Sequence, residues 1–121
     1  MTATLAADLE AQILSHRPLA LDVPWADEIV FPYYAGLSIR NLAHTVVRLI
    51  GGPEVNGRLG QSPLDARLWA HWRGEVRRVV LFVTDGLGWR LLQTLLAEDS
   101  GVAQIVADLV GEGTLTPLTS V

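Results

Sequence analysis

Asp85 is the residue of this chain best placed to do chemistry. It closes the stretch "RRVVLFVTDGLGWRLL", Arg77 to Leu92, in which five of the six residues from Val79 to Thr84 are apolar. In open α/β sheets, ligands collect at the carboxyl ends of the strands, where this pattern puts the carboxylate. Gly86 and Gly88 remove side chains around it, so that backbone or an ion can come close. Such a carboxylate suits a divalent cation, which neutralises a phosphoryl oxygen or activates a nucleophile. The competing reading is that Asp85-Gly86 only makes the turn after a strand.

Other chemistries fit less well. "GLGWRL", Gly86 to Leu91, approaches the dinucleotide pattern G-x-G-x-x-G, but Leu91 stands where the third glycine belongs. An acid also precedes its first glycine, and none follows at the expected distance in a second strand. A haloacid-dehalogenase-type site requires D-x-D-G, and Val83 occupies the position of the first aspartate. His16, His44 and His71 fall in a loop, a helix and a helix without ligand spacing to one another, and His44 and His71 read as surface or helix-packing residues. Trp25, Trp69, Trp72 and Trp89 read as packing residues, with Trp89, beside Gly88, near the mouth of a site.

The elements that must position Asp85 follow from periodicity and punctuation. Leu5, Leu9 and Ile13, four apart, predict an amphipathic helix over 4–15. Pro18, Pro24 and Pro32 then mark extended or looping chain up to Tyr33 and Tyr34, which covers an edge or connects two helices. Ser38 caps a second helix carrying Leu42, Val46, Leu49 and Ile50, stopped by Gly51-Gly52-Pro53. Residues 53–61 read as a loop. "SPLD", Ser62 to Asp65, opens a third helix, with Leu68, Trp69 and Trp72, that ends near Gly74. A strand over 78–84 follows, apolar enough to be covered on both faces. A helix over 88–97 buries Leu91, Leu92, Leu95 and Leu96. Another over 102–110 carries Val102, Ile105, Val106, Leu109 and Val110, before Gly111 and Gly113 break it and a strand begins at 114.

Strand, helix, helix, strand is the opening of an α/β fold. The expected organisation is a helical and looping lead-in over 1–75, then the first portion of an α/β domain over 76–121. Two strands do not make a stable sheet covered on both faces. The chain therefore reads as the start of an α/β/α sandwich, incomplete in itself.

Composition narrows the function. Half of the 121 residues are apolar and 18% are charged, which suits a packed core and argues against disorder. Net charge is −4 and Arg77-Arg78 is only a local basic pair, so nucleic acid is not an expected partner. There are no cysteines, which excludes disulfides and thiolate metal sites. Asp8 and Glu10 interrupt the apolar N-terminal stretch, unlike a signal peptide, and no run is long enough to span a bilayer. A cytoplasmic protein with no membrane partner is expected.

"VVLFVTDGLGW", followed about thirty residues later by "TPLTSV", resembles the opening of the alkaline phosphatase superfamily, closest to its type I phosphodiesterase and nucleotide pyrophosphatase branch. "YYAGLSIRNLAHTVVRLIGG" is similar to the lead-in of some bacterial members, so the resemblance covers roughly residues 31–121. It implies an α/β/α hydrolase with two metal ions, usually zinc, in which Asp85 binds one metal. It implies a small phosphate ester or nucleotide-like substrate, and a double displacement through a covalent phospho-enzyme. The Thr or Ser nucleophile of that family sits in a Phe-Pro segment that would fall beyond Val121. No catalytic residue is therefore assigned here, and Thr119 and Ser120 read as strand residues. The resemblance implies that these 121 residues alone are inactive. The alternative is a non-enzymatic α/β protein that binds a partner on a degenerate hydrolase scaffold.

Overall fold

The computed structural model describes residues 2–53, 62–111 and 113–120. Helix α1 spans Thr2–Ser15 and buries the stripe that the spacing predicts: Leu9 is fully covered, with Ala6 and Ile13 beside it. Arg17 then fastens the proline-rich segment, its guanidinium donating to the carbonyls of Ala26, Asp27 and Ile29 at 3.1, 3.0 and 2.6 Å.

The next helix starts as its sequence demands. The Ser38 hydroxyl accepts from the Arg40 N–H, and the Asn41 side chain accepts from the Ser38 N–H, a reciprocal cap on the short 3₁₀ turn Ile39–Asn41. That turn runs directly into α2, Leu42–Leu49. Leu42 and Leu49 pack at the edge of the core, whereas Ile50 is exposed and the most deeply buried residues of α2 are polar, His44 and Thr45. The Thr45 hydroxyl donates to the Asn41 carbonyl and accepts from the Leu64 N–H, both at 2.7 Å, so its burial leaves no polar atom stranded. Most of the expected 53–61 loop lies outside the described residues.

The third predicted helix is replaced by two single 3₁₀ turns, Ala66–Leu68 and Ala70–Trp72. Local chemistry explains this. The Asp65 N–H is taken by the Gly36 carbonyl at 2.8 Å, and the Trp69 indole folds back to donate to the Leu64 carbonyl. Trp69 itself adopts φ −144°, outside helical range. Gly36 can serve this contact because it has φ +127° and no Cβ, which would stand 3.0 Å from the Asp65 nitrogen. The cap is Asp65 rather than Ser62, whose carbonyl accepts from Asn41.

Asp65 also accepts from the Arg67 guanidinium at 2.9 Å, and that hydrogen bond holds its pKa below the usual carboxylate value, against an opposing push from burial. A carboxyl group depressed on folding stabilises above its unfolded value and loses that contribution as pH falls through its folded value. Asp65→Asn keeps a capping oxygen but removes the charge. It is expected to cost up to about 1 kcal/mol at neutral pH, because the pair is partly exposed. Urea unfolding of both proteins should show that gap closing as the pH drops below the carboxylate range.

One apolar cluster holds the described chain together: Leu9, Ile13, Leu37, Leu64, Leu68 and Trp69, flanked by Leu5, Tyr33, Leu42, Leu49 and Leu118. Helices α3, Trp89–Glu98, and α4, Ser100–Val110, pack on each other but bury no residue completely. Leu91, expected inside, is exposed, as are Ile105 and Leu109. The Asp99 carboxylate caps α4 by accepting from the Gly101 and Val102 N–H groups.

The expected α/β/α sandwich is not found. The described residues are helical, contain no sheet, and make one isolated parallel bridge, Ser38 to Thr119. Residues 76–84 form no helix, turn or bend, and no backbone hydrogen bond joins them to another described residue. An apolar run favours an extended chain, but a strand exists only through a neighbour's ladder, and that neighbour is not specified locally. Among the described residues, no helix is long and apolar enough to cross a membrane.

Candidate functional site

The segment 76–84 delivers Asp85 into a turn with Gly86, whose φ of +74° is ordinary for glycine and strained for other residues. Apart from the adjoining residues, no atom of the described residues lies within 4 Å of where a Cβ would stand on Gly86 or Gly88, so the space around the turn is open. The Asp85 side chain is exposed and makes no hydrogen bond or ion pair with a described residue. Its carboxylate oxygens are free to bind an ion or water.

Among the described residues, no group of three or more His, Cys, Asp or Glu side chains could hold a metal ion. Asp85 fits the part of one ligand, but the described residues do not fit a two-metal centre. His16 lies against the Tyr33 ring at 4.7 Å, His71 against Trp72 at 4.1 Å, and His44 is buried in α2.

Thr119 has a structural task. Its buried hydroxyl accepts from the Tyr33 N–H at 2.9 Å and donates to the Leu37 carbonyl at 3.1 Å. Its backbone accepts from the Ile39 N–H and donates to the Leu37 carbonyl. A hydroxyl committed on both sides is a fastener and is poorly disposed to attack anything.

The structure adds a feature that sequence reading missed. A largely apolar cavity of about 410 Å³ is walled by Ile13, Leu14, Pro32, Trp89, Leu91 and Leu118, with Glu10, Arg90 and Ser120 among its polar lining residues. Trp89 thus does line a recess, but Asp85 is not among the lining residues. The Trp89 indole N–H is buried with no hydrogen-bond partner among the described residues. Four separated stretches build this cavity, and only Trp89 beside Gly88 hinted at it. Gln93 ties α3 to α1 by donating to Glu10, one of the lining residues, at 3.2 Å.

No family model matches the chain, and neither curated proteins nor solved structures provide a match. The functional reading rests on the residues themselves.

Proposed function

We propose that the chain takes part in metal-dependent hydrolysis of phosphate esters, of the phosphodiesterase and nucleotide pyrophosphatase kind, by contributing Asp85 as one metal ligand. The observation that carries this reading is an exposed carboxylate, without a partner among the described residues, presented on a glycine turn at the end of an apolar segment. The ion is a divalent cation, zinc by resemblance, and it would act as a Lewis acid on the phosphoryl group. Asp85 would hold the ion and exchange no proton. The substrate class is a small phosphate ester or nucleotide-like molecule, and the setting is cytoplasmic. No nucleophile is assigned among these residues.

Two measurements test this. Competition against a chromophoric chelator should show weak zinc binding that falls about tenfold or more in Asp85→Asn, as loss of a metal-supporting group does. Zinc affinity indifferent to Asp85→Asn would remove the ligand role. The 121-residue chain should not hydrolyse bis(p-nitrophenyl) phosphate with zinc. Metal-dependent turnover that disappears in Asp85→Ala would show instead that the chain is a complete catalyst. Reading the source gene past codon 121 tests the family assignment. A Phe-Pro-hydroxyl segment followed by further Asp and His residues supports it, and a stop codon removes catalysis from this product.

A non-enzymatic interaction role is the second reading. It is favoured by the apolar run preceding Asp85, which lies exposed.

A further inference from the structure

Val79 to Val83 are five consecutive exposed apolar residues, with Phe82 88% and Val80 75% accessible. Their segment has no helix, turn or bend, and no backbone hydrogen bond joins it to a described residue. A long apolar segment with free backbone edges is a template for pairing with another chain. Side chains of an extended segment alternate between two faces. Val79 and Leu81 line a groove on the chain's own body together with Thr114, Thr116 and the α2 residues Leu42 and Val46. Val80 and Phe82 belong to the opposite face.

The charges that bracket this run indicate what covers it. We infer that two copies of this chain pair antiparallel through residues 77–85, with Leu81 opposite Leu81 of the second copy. In this register Val79 faces Val83, Val80 faces Phe82, and Arg77 faces Asp85 at both ends of the ribbon. Apolar residues meet apolar residues in the middle, and opposite charges close each end, both favourable cross-strand pairings. Competing arrangements are poorer. In-register parallel pairing stacks Arg77 on Arg77 and Asp85 on Asp85. An antiparallel shift by two residues sets Asp85 against Glu75 in one direction, and in the other sets Asp85 against Val79 and Arg77 against Leu87. A shift by one reverses the faces. The favoured register has a two-fold axis at Leu81, so the same patch serves both copies.

This inference goes beyond the metal-ligand reading and fails separately from it, provided association is measured in a chelator so that Asp85 carries no ion. Light scattering after size exclusion, over about a hundredfold range of concentration, should show a dimer that dissociates on dilution. Arg77→Asp should weaken the dimer about tenfold by placing like charges at both ends, and adding Asp85→Arg should restore it. The chain has no cysteine, so Leu81→Cys introduces a single thiol that faces its own copy and should cross-link under mild oxidation. Val83→Cys should not, because the two thiols would lie about 13 Å apart along the ribbon. These residues are exposed, and circular dichroism will confirm that each variant stays folded. A monomer at every concentration overturns the inference. So do a dimer indifferent to charge reversal, cross-linking at position 83 in preference to 81, and assemblies larger than two.

Discussion

Asn41→Leu should remove a large share of the protein's stability. Asn41 is fully buried, and its side chain accepts from the Ser38 N–H at 2.9 Å while donating to the carbonyls of Tyr34 and Ser62 at 2.9 and 2.8 Å. One amide thus joins the start of α2 to the segment before it and to the start of the 3₁₀ turns. Leucine has similar bulk and no polar atom, so three backbone groups would lose their partners. Each buried orphan costs roughly 1–3 kcal/mol, which suggests about 3–5 kcal/mol after relaxation. Total stability for a domain of this size is roughly 5–15 kcal/mol. Asn41→Asp should do no better at neutral pH, since it turns a carboxylate toward two carbonyl oxygens. Urea unfolding followed by tryptophan fluorescence reads both variants. A loss below about 1 kcal/mol for Asn41→Leu would mean that water replaces the side chain, and that the amide is not the junction described.

Leu9→Ala should cost about 3–5 kcal/mol, through lost burial plus the cavity left behind. Leu9 has no exposed surface, and with Ala6 and Ile13 it is the means by which α1 joins the core. Leu5 packs at the core's edge, and the Gln12 amide adds a polar tie, donating to the Tyr33 hydroxyl and accepting from Arg67. Leu14 is on the same helix but 40% exposed, so Leu14→Ala should cost well under half as much. If the two variants unfold at the same urea concentration, α1 contributes to stability by some route other than its apolar stripe.

These two sites show where sequence reading reaches and where it stops. The α1 stripe was legible because Leu5, Leu9 and Ile13 lie within one helix, and periodicity is a local property. The Ser38 cap was legible for the same reason. The partners of Asn41 were not, since Tyr34 and Ser62 stand 7 and 21 residues away and no spacing rule links them. The helix expected from "SPLD" failed because the Gly36 carbonyl and the Trp69 indole override a good local start signal. The sheet failed for a more general reason: an apolar run states that a segment is extended, but says nothing about which strand lies beside it. At the candidate site, the turn was legible in Asp85-Gly86, whereas the exposure of its carboxylate depends on the folded chain and the cavity at Trp89 required four distant stretches to meet.

Because Thr119 is clasped to Tyr33 and Leu37 across 86 and 82 residues, biosynthesis has an enforced order. Helices form from neighbours within nanoseconds to microseconds of emerging, but closing a loop of that length waits for the far end to exist and carries a larger entropic cost. The nascent chain must therefore make all of α3 and α4 while one seam of its core stands open. Throughout that interval the apolar segment 79–83 is already made, while the seam that Thr119 closes is still open.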